Sequence, residues 1–233
     1  MLFQWNDDAT WKRFVLLAQE GQIDDIRDAL AEYSDFVVYH GCRPDDPSVY
    51  YQQGLKIADV GTLNRRAAEI FLTPEFPGVT KAKLLQAIDR DSRSSNGKLY
   101  VVLDKDEFME FSPHYLIYGS EYIWRLANQL TGRGMVSPNV LKRFGIPTLF
   151  EIHVPAHELP SEQLQELSKY IYSVCNDGDI DERPSLAWGF IFQEPLPGSW
   201  IKKHIHPEEI IDRTCGFRSV YRYKDDRDGL LPS

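Results

Sequence analysis

The sequence predicts an α+β fold: a mostly antiparallel sheet, with helices concentrated in the N-terminal half. Three observations carry that expectation. Apolar residues recur at three- and four-residue spacing through most of the first half of the chain. Short β-branched and aromatic runs, bounded by loops, come mostly late and lack the regular strand–helix–strand alternation of a doubly wound sheet. Phosphate loops of the GxGxxG or GxxxxGK[ST] type are missing, which sets aside Rossmann and P-loop architectures.

Taken in order, Trp11, Phe14, Val15 and Ala18 form a helical stripe that Gly21 breaks, and Ile23, Ile26 and Leu30 repeat it in a second helix. The FVVY run at 36–39 reads as a buried strand ending in His40-Gly41-Cys42-Arg43-Pro44. Asp46-Pro47 opens a short helix through Val49 and Tyr50, with Gly54 at the position after its end. Leu63, Ala67, Ile70 and Phe71 mark a further helix, and Thr80 caps the next, whose inward face is Leu84, Leu85 and Ile88. The loop DSRSSNG at 91–97 is the most polar in the chain and the expected mobile tip. A strand LYVVL (99–103) follows, then a helix capped by Ser120, facing inward with Ile123, Ala127 and Leu130 and stopped by Gly132. TLFEIHV (148–154) is a strand bracketed by Pro147 and Pro155, and Ser161 caps a helix carrying Leu164, Leu167, Ile171 and Val174. The last third reads as a strand over 188–196, a short helix near Pro207–Ile211 and a final strand over 217–223.

The chain has 233 residues, 42% of them hydrophobic and 26% charged, which excludes disordered, collagen-like and coiled-coil classes. A single domain is expected over 1–233, with a helical element at 1–35, an α+β core at 36–223 and a polar tail at 224–233. Net charge is −9, so a long nucleic-acid duplex is not an expected partner. The oddly numbered, widely spaced Cys42, Cys175 and Cys215 suggest neither a disulfide framework nor a zinc knuckle. No run approaches the roughly 18 apolar residues of a membrane span, and MLFQWNDDATW lacks the charge and apolar pattern of a secretory signal. The expected compartment is the cytoplasm.

Most informative is YHGCRPDDPSVYYQQGLKIADV at 39–60. A His-Gly at the end of a buried strand offers an imidazole that bonds a hydroxyl without permanent charge. Beside it, Gly41 is bare backbone that a planar ligand can approach. The His40-Gly41 strand end, the short helix and the turn Gly54-Leu55 together resemble the nicotinamide-binding start of the ADP-ribosyltransferase superfamily, in its His-type branch. RNA 2′-phosphotransferases and bacterial toxin or defence modifiers share that pattern. The resemblance runs in order over about 36–212, and it implies a split antiparallel core.

It also implies NAD as a substrate, transfer of ADP-ribose to a macromolecular acceptor, and release of nicotinamide. His40 and Gly41 would hold the nicotinamide end, and an aromatic from HYLIYGSEYIW (114–124), Tyr115 or Tyr118, would stack on it. Ser120 is a further contact, although an N-cap explains it equally well. Cleaving the glycosidic bond builds oxocarbenium character, which a nearby carboxylate stabilises. Glu194, ending FIFQE, is the first candidate, Glu121 the second and Glu151 the third. The chain departs from the family in lacking an obvious Ser-Thr-Ser segment.

Two other function classes stand beside this one. An inactive member of the fold would serve as a protein-binding or immunity-type module. A metal-dependent hydrolase would use His204 and His206, with Glu208 or Glu209 and His153, although Lys202 and Lys203 beside them disfavour a cation. Cys42 reads as a small buried hydrophobe rather than a nucleophile paired with His40.

Overall fold

The computed structural model describes residues 1–57, 59–90, 97–132, 137–213 and 219–223. A short strand β1 (Leu2–Phe3) precedes helices α1 (Asp8–Glu20) and α2 (Ile23–Ala31). Asp7 accepts from Thr10 N–H to start α1, and the predicted stripe Trp11, Phe14, Val15 and Ala18 is buried along it. Strand β2 (Asp35–Cys42) leads into α3 (Ser48–Gln53), α4 (Val60–Phe71) and α5 (Lys81–Arg90). Then come β3 (Leu99–Val102), α6 (Lys105–Phe111), α7 (His114–Ile117) and α8 (Glu121–Thr131). The chain closes with β4 (Thr148–Pro155), α9 (Ser161–Asn176), β5 (Gly189–Phe192), β6 (Ile201–Ile205), β7 (Glu209–Asp212) and β8 (Ser219–Arg222).

Five strands lie in the order β5-β3-β2-β4-β6, all paired antiparallel, and β1 adds to β2 in parallel. The architecture is therefore α+β with a mostly antiparallel sheet. Alternation along the strands divides the core between two faces. Phe36, Val38, Val101, Phe150, Ile152 and Phe190 face α1, α2 and α9. Val37, Tyr39 and Leu149 face α4 to α8 and the β7–β8 hairpin. The N-terminal element belongs to this packing: Phe3 and Trp5 are fully buried in the first cluster.

The expected helix near Pro207–Ile211 is instead the strand β7. Ile210 and Asp212 are buried while Glu209 and Ile211 are exposed, a period of two that suits one face of a hairpin. Pro160, not Ser161, holds the N-cap position of α9. The loop at 91–96, Cys215, residues 217–218 and the tail 224–233 lie outside the described residues. Among the described residues no helix is long and apolar enough to cross a membrane.

Candidate functional site

The two edges of β2 are treated unequally. One edge pairs with β4 over all eight residues, from Asp35 opposite Pro155 to Cys42 opposite Thr148. The other carries β1 at Asp35 and Phe36 and β3 at Tyr39 only. Past Tyr39 the paired register with β3 is not continued, although β3 runs antiparallel alongside it. Across the seam, His40 Nδ1 lies 2.9 Å from the Tyr100 carbonyl. A carbonyl only accepts, so Nδ1 carries the proton, and in the neutral ring Nε2 is left as an acceptor. Burial pulls the His40 pKa below its ordinary value, partly offset by that carbonyl bond, which keeps the ring neutral near pH 7.

Gly41 looks toward the opposite face, and the space above it is filled. A Cβ there would lie 2.3 Å from Phe108 Cζ and 3.2 Å from Leu116 Cδ2, so the missing side chain makes room for α6 and α7. Phe108 in turn stacks on Tyr115, with ring centroids 6.1 Å apart. Tyr115 donates to Glu121 Oε2 at 3.3 Å, and Arg125 pairs with Glu121 Oε1 at 3.1 Å. Burial and the Glu121 charge push the Tyr115 hydroxyl up to about 12. His114, 4.3 Å from the Tyr115 ring, is lowered by its own burial against the opposing pull of Glu121. Contacts thus run without a break from Gly41 through Phe108 and Tyr115 to Glu121.

A cleft of about 520 Å³ opens at the C-terminal end of β2, within the range of small-ligand sites. Its apolar wall includes Tyr50, Leu63, Ile70, Ile123 and Phe144, and Cys42 lines it, whereas His40, Gly41, Tyr115 and Glu121 do not. Tyr118, Gly119 and Ser120 form another side, and Arg65 and Arg66 stand in the lining with Asp45, Asp46 and Glu69, of which Asp45 and Glu69 pair with Arg66. Ser120 accepts from Ile123 N–H as the cap of α8. Tyr118 is buried and donates to the buried Asp212 at 2.5 Å, with Lys142 Nζ 5.5 Å from the tyrosine ring centre. Burial raises the Cys42 thiol to about 12, so it is no thiolate nucleophile near pH 7.

Glu194 is elsewhere. It lines a second groove with Glu158, Glu162, Gln163 and Trp200, which none of the other predicted site residues lines. The two regions are joined through main chain: Leu55 N–H donates to Leu196 C=O at 2.9 Å, and Leu196 N–H donates back at 3.0 Å. Gly54 makes that approach possible, with φ at 73° and Leu196 O only 2.2 Å from where a Cβ would stand. Sequence reasoning therefore placed the Gly-Leu turn correctly without seeing that it docks beside the Glu194 segment.

The histidines considered for a metal do not converge with His153. Phe150 pairs with His204, and Val37 with His153, so the two rings lie on opposite faces of the sheet. His204 accepts or donates to Tyr51 at 2.7 Å, and its ring stands 4.8 Å from His206. Among the described residues no group of three His, Cys, Asp or Glu side chains is placed to hold a metal ion. Glu151 is tied to Lys203 at 3.0 Å and His153 at 3.3 Å. The residues missed by sequence reasoning are Phe108, Arg65 and Arg66; only the charge of the arginine pair was legible as a signal. No family model, no curated protein and no solved structure matches the chain.

Proposed function

We propose that the protein binds NAD at the C-terminal end of β2 and transfers its ADP-ribose to a macromolecular acceptor. The observation that carries the reading is the cleft that opens from Cys42 at the end of β2 and is walled by Tyr118 and Ser120. The apolar wall takes the aromatic end of the ligand, and His40, which lies on the other face of β2 from Gly41, takes no part in this cleft. Arg65, whose side chain holds only Thr62 at 3.1 Å among the described residues, meets the diphosphate. Glu121, which follows Ser120 in the chain without lining the cleft itself, is the carboxylate assigned here in place of Glu194, which lines the other groove. The ribose–nicotinamide C–N bond breaks, and nicotinamide leaves with the electron pair. The acceptor nucleophile bonds the ribose C1′ and gives up its proton to solvent. Negative charge near C1′ acts as the oxocarbenium character develops.

The ring of Phe108 over Gly41 favours a second reading, a binding module of the same fold without turnover. Calorimetric titration with NAD tests the site, and nicotinamide release separates turnover from binding alone. The wild type should bind NAD saturably at or below about 1 mM, the usual upper range for substrates. Leu63→Trp, which fills the cleft, should weaken it at least about tenfold, or 1.4 kcal/mol. Wild-type protein that does not bind, or a Leu63→Trp variant of equal affinity, overturns the site.

A further inference from the structure

Gln163, in the first turn of α9, presses its carboxamide on the outer edge of β5. Ile191 N–H donates to Gln163 Oε1 at 2.8 Å, and Gln163 Nε2 donates to the Ile191 carbonyl at 3.0 Å. That reciprocal pair is what one residue of an adjacent antiparallel strand supplies. Among the described residues β5 is the terminal strand on this side of the sheet, and an open edge is a template for a further strand. Past Ile191, the main chain of Gln193 has no hydrogen-bond partner among the described residues.

A groove of about 500 Å³ runs along this edge, between 158–163 and 191–196, with Trp200 in its wall. Glu158, Glu162 and Glu194 line it, and among the described residues no lysine or arginine does. Glu162 lies in the first turn of α9, where it offsets the positive end of the helix. Among the described residues Glu158 pairs only with His157, at 3.6 Å, and the exposed Glu194 has no ion-pair partner. An aromatic face beside free carboxylates favours a guanidinium or ammonium group, and the same carboxylates repel phosphate.

We infer that this groove is a docking site for an extended polypeptide segment bearing arginine or lysine. The segment's main chain replaces the Gln163 carboxamide on β5, and its cationic side chains reach Glu194 and Glu158. The inference goes beyond the NAD reading and stands without it, because the groove is separate from the cleft at β2. A short labelled peptide of alternating arginine and valine, titrated by fluorescence anisotropy, tests it on the full chain. The peptide should bind, and its glutamate–valine counterpart should not. Glu194→Gln should weaken binding about two- to fivefold, as for one partly exposed ion pair. Gln163→Ala should tighten it by about two- to tenfold, because the competing amide is gone. An N-methylated arginine–valine peptide, unable to pair with the edge, should lose most of its affinity. Equal binding of the arginine and glutamate peptides overturns the proposal. So does full affinity of the N-methylated peptide, or a Gln163→Ala variant that binds no more tightly than wild type.

Discussion

A methyl group at Gly41 would stand 2.3 Å from Phe108 Cζ and 2.5 Å from Cε1. Carbon atoms in contact sit about 3.5–4.0 Å apart, so Gly41→Ala forces the ring to move by more than about 1 Å. The ring has little room: Phe108 is 7% exposed and stacked on Tyr115. Its helix is anchored by Asp104, which accepts from the N–H groups of Asp106 and Glu107. Overpacking of this kind costs about 1–3 kcal/mol. The loss of unfolded-state freedom on replacing glycine returns about 0.4–1 kcal/mol, so a net destabilisation of about 1–2 kcal/mol is expected. For a chain of this length that lowers Tm by about 2–8 °C. Urea unfolding of four proteins measures it: wild type, Gly41→Ala, Phe108→Leu and the double variant. In the Phe108→Leu background the alanine penalty should fall below half. A Gly41→Ala midpoint equal to wild type, or an equal penalty in both backgrounds, would refute the packing argument.

Three further outcomes follow from the same geometry. Arg43 donates to the carbonyls of Phe144, Leu116, Lys142 and Gly145 and to the Tyr221 hydroxyl, a set that a single ammonium does not reach; Arg43→Lys should cost about 2–4 kcal/mol in thermal unfolding. Asp104, 1% exposed, holds Arg183 at 2.8 Å and caps α6, so Asp104→Ala should lose about 3–5 kcal/mol by urea denaturation. Burial places the His40 and His114 pKa values below the ordinary 6.5, so the unfolded chain binds more protons below that pH. Their contribution is present above the unfolded pKa and is lost as pH falls, with a slope of up to about 1.4 kcal/mol per pH unit for each ring. His40→Asn, which keeps a donor for the Tyr100 carbonyl, should flatten the fall in urea midpoint between about pH 7 and pH 5.5; an unchanged slope would remove His40 from the account.

The helices and central strands were legible because their signals are local. The stripe of α1, the Ser120 cap of α8 and the alternation in β4 are written at fixed spacings, and tertiary packing agrees with them. β1 escaped because two residues carry no period, and its pairing with Asp35 and Phe36 is a long-range event. β7 carries no clear strand signal, since Pro207 followed by two glutamates is also the pattern of a helical first turn. The strand forms because Ile210 and Asp212 find a buried face against the helices. At the candidate site, His40, Gly54 and Tyr115 were named from the sequence, but their partners were not. Nothing local says that Phe108 occupies the Gly41 side, that Tyr115 bonds Glu121, or that Glu194 opens on another groove. Those are consequences of how α6 and α9 pack on the sheet, which no spacing encodes.

The most direct measurement is nicotinamide release from NAD, followed chromatographically with the purified protein and with Glu121→Gln and Glu194→Gln. The reading predicts release above the uncatalysed background in wild type. It predicts a fall of about a hundredfold or more in Glu121→Gln with NAD affinity little changed, because the lost charge acts in the transition state. A collapse confined to Glu194→Gln would move the carboxylate to the other groove while keeping the chemistry. Wild-type protein that releases no nicotinamide, or two variants that both turn over NAD at the wild-type rate, would contradict the mechanism.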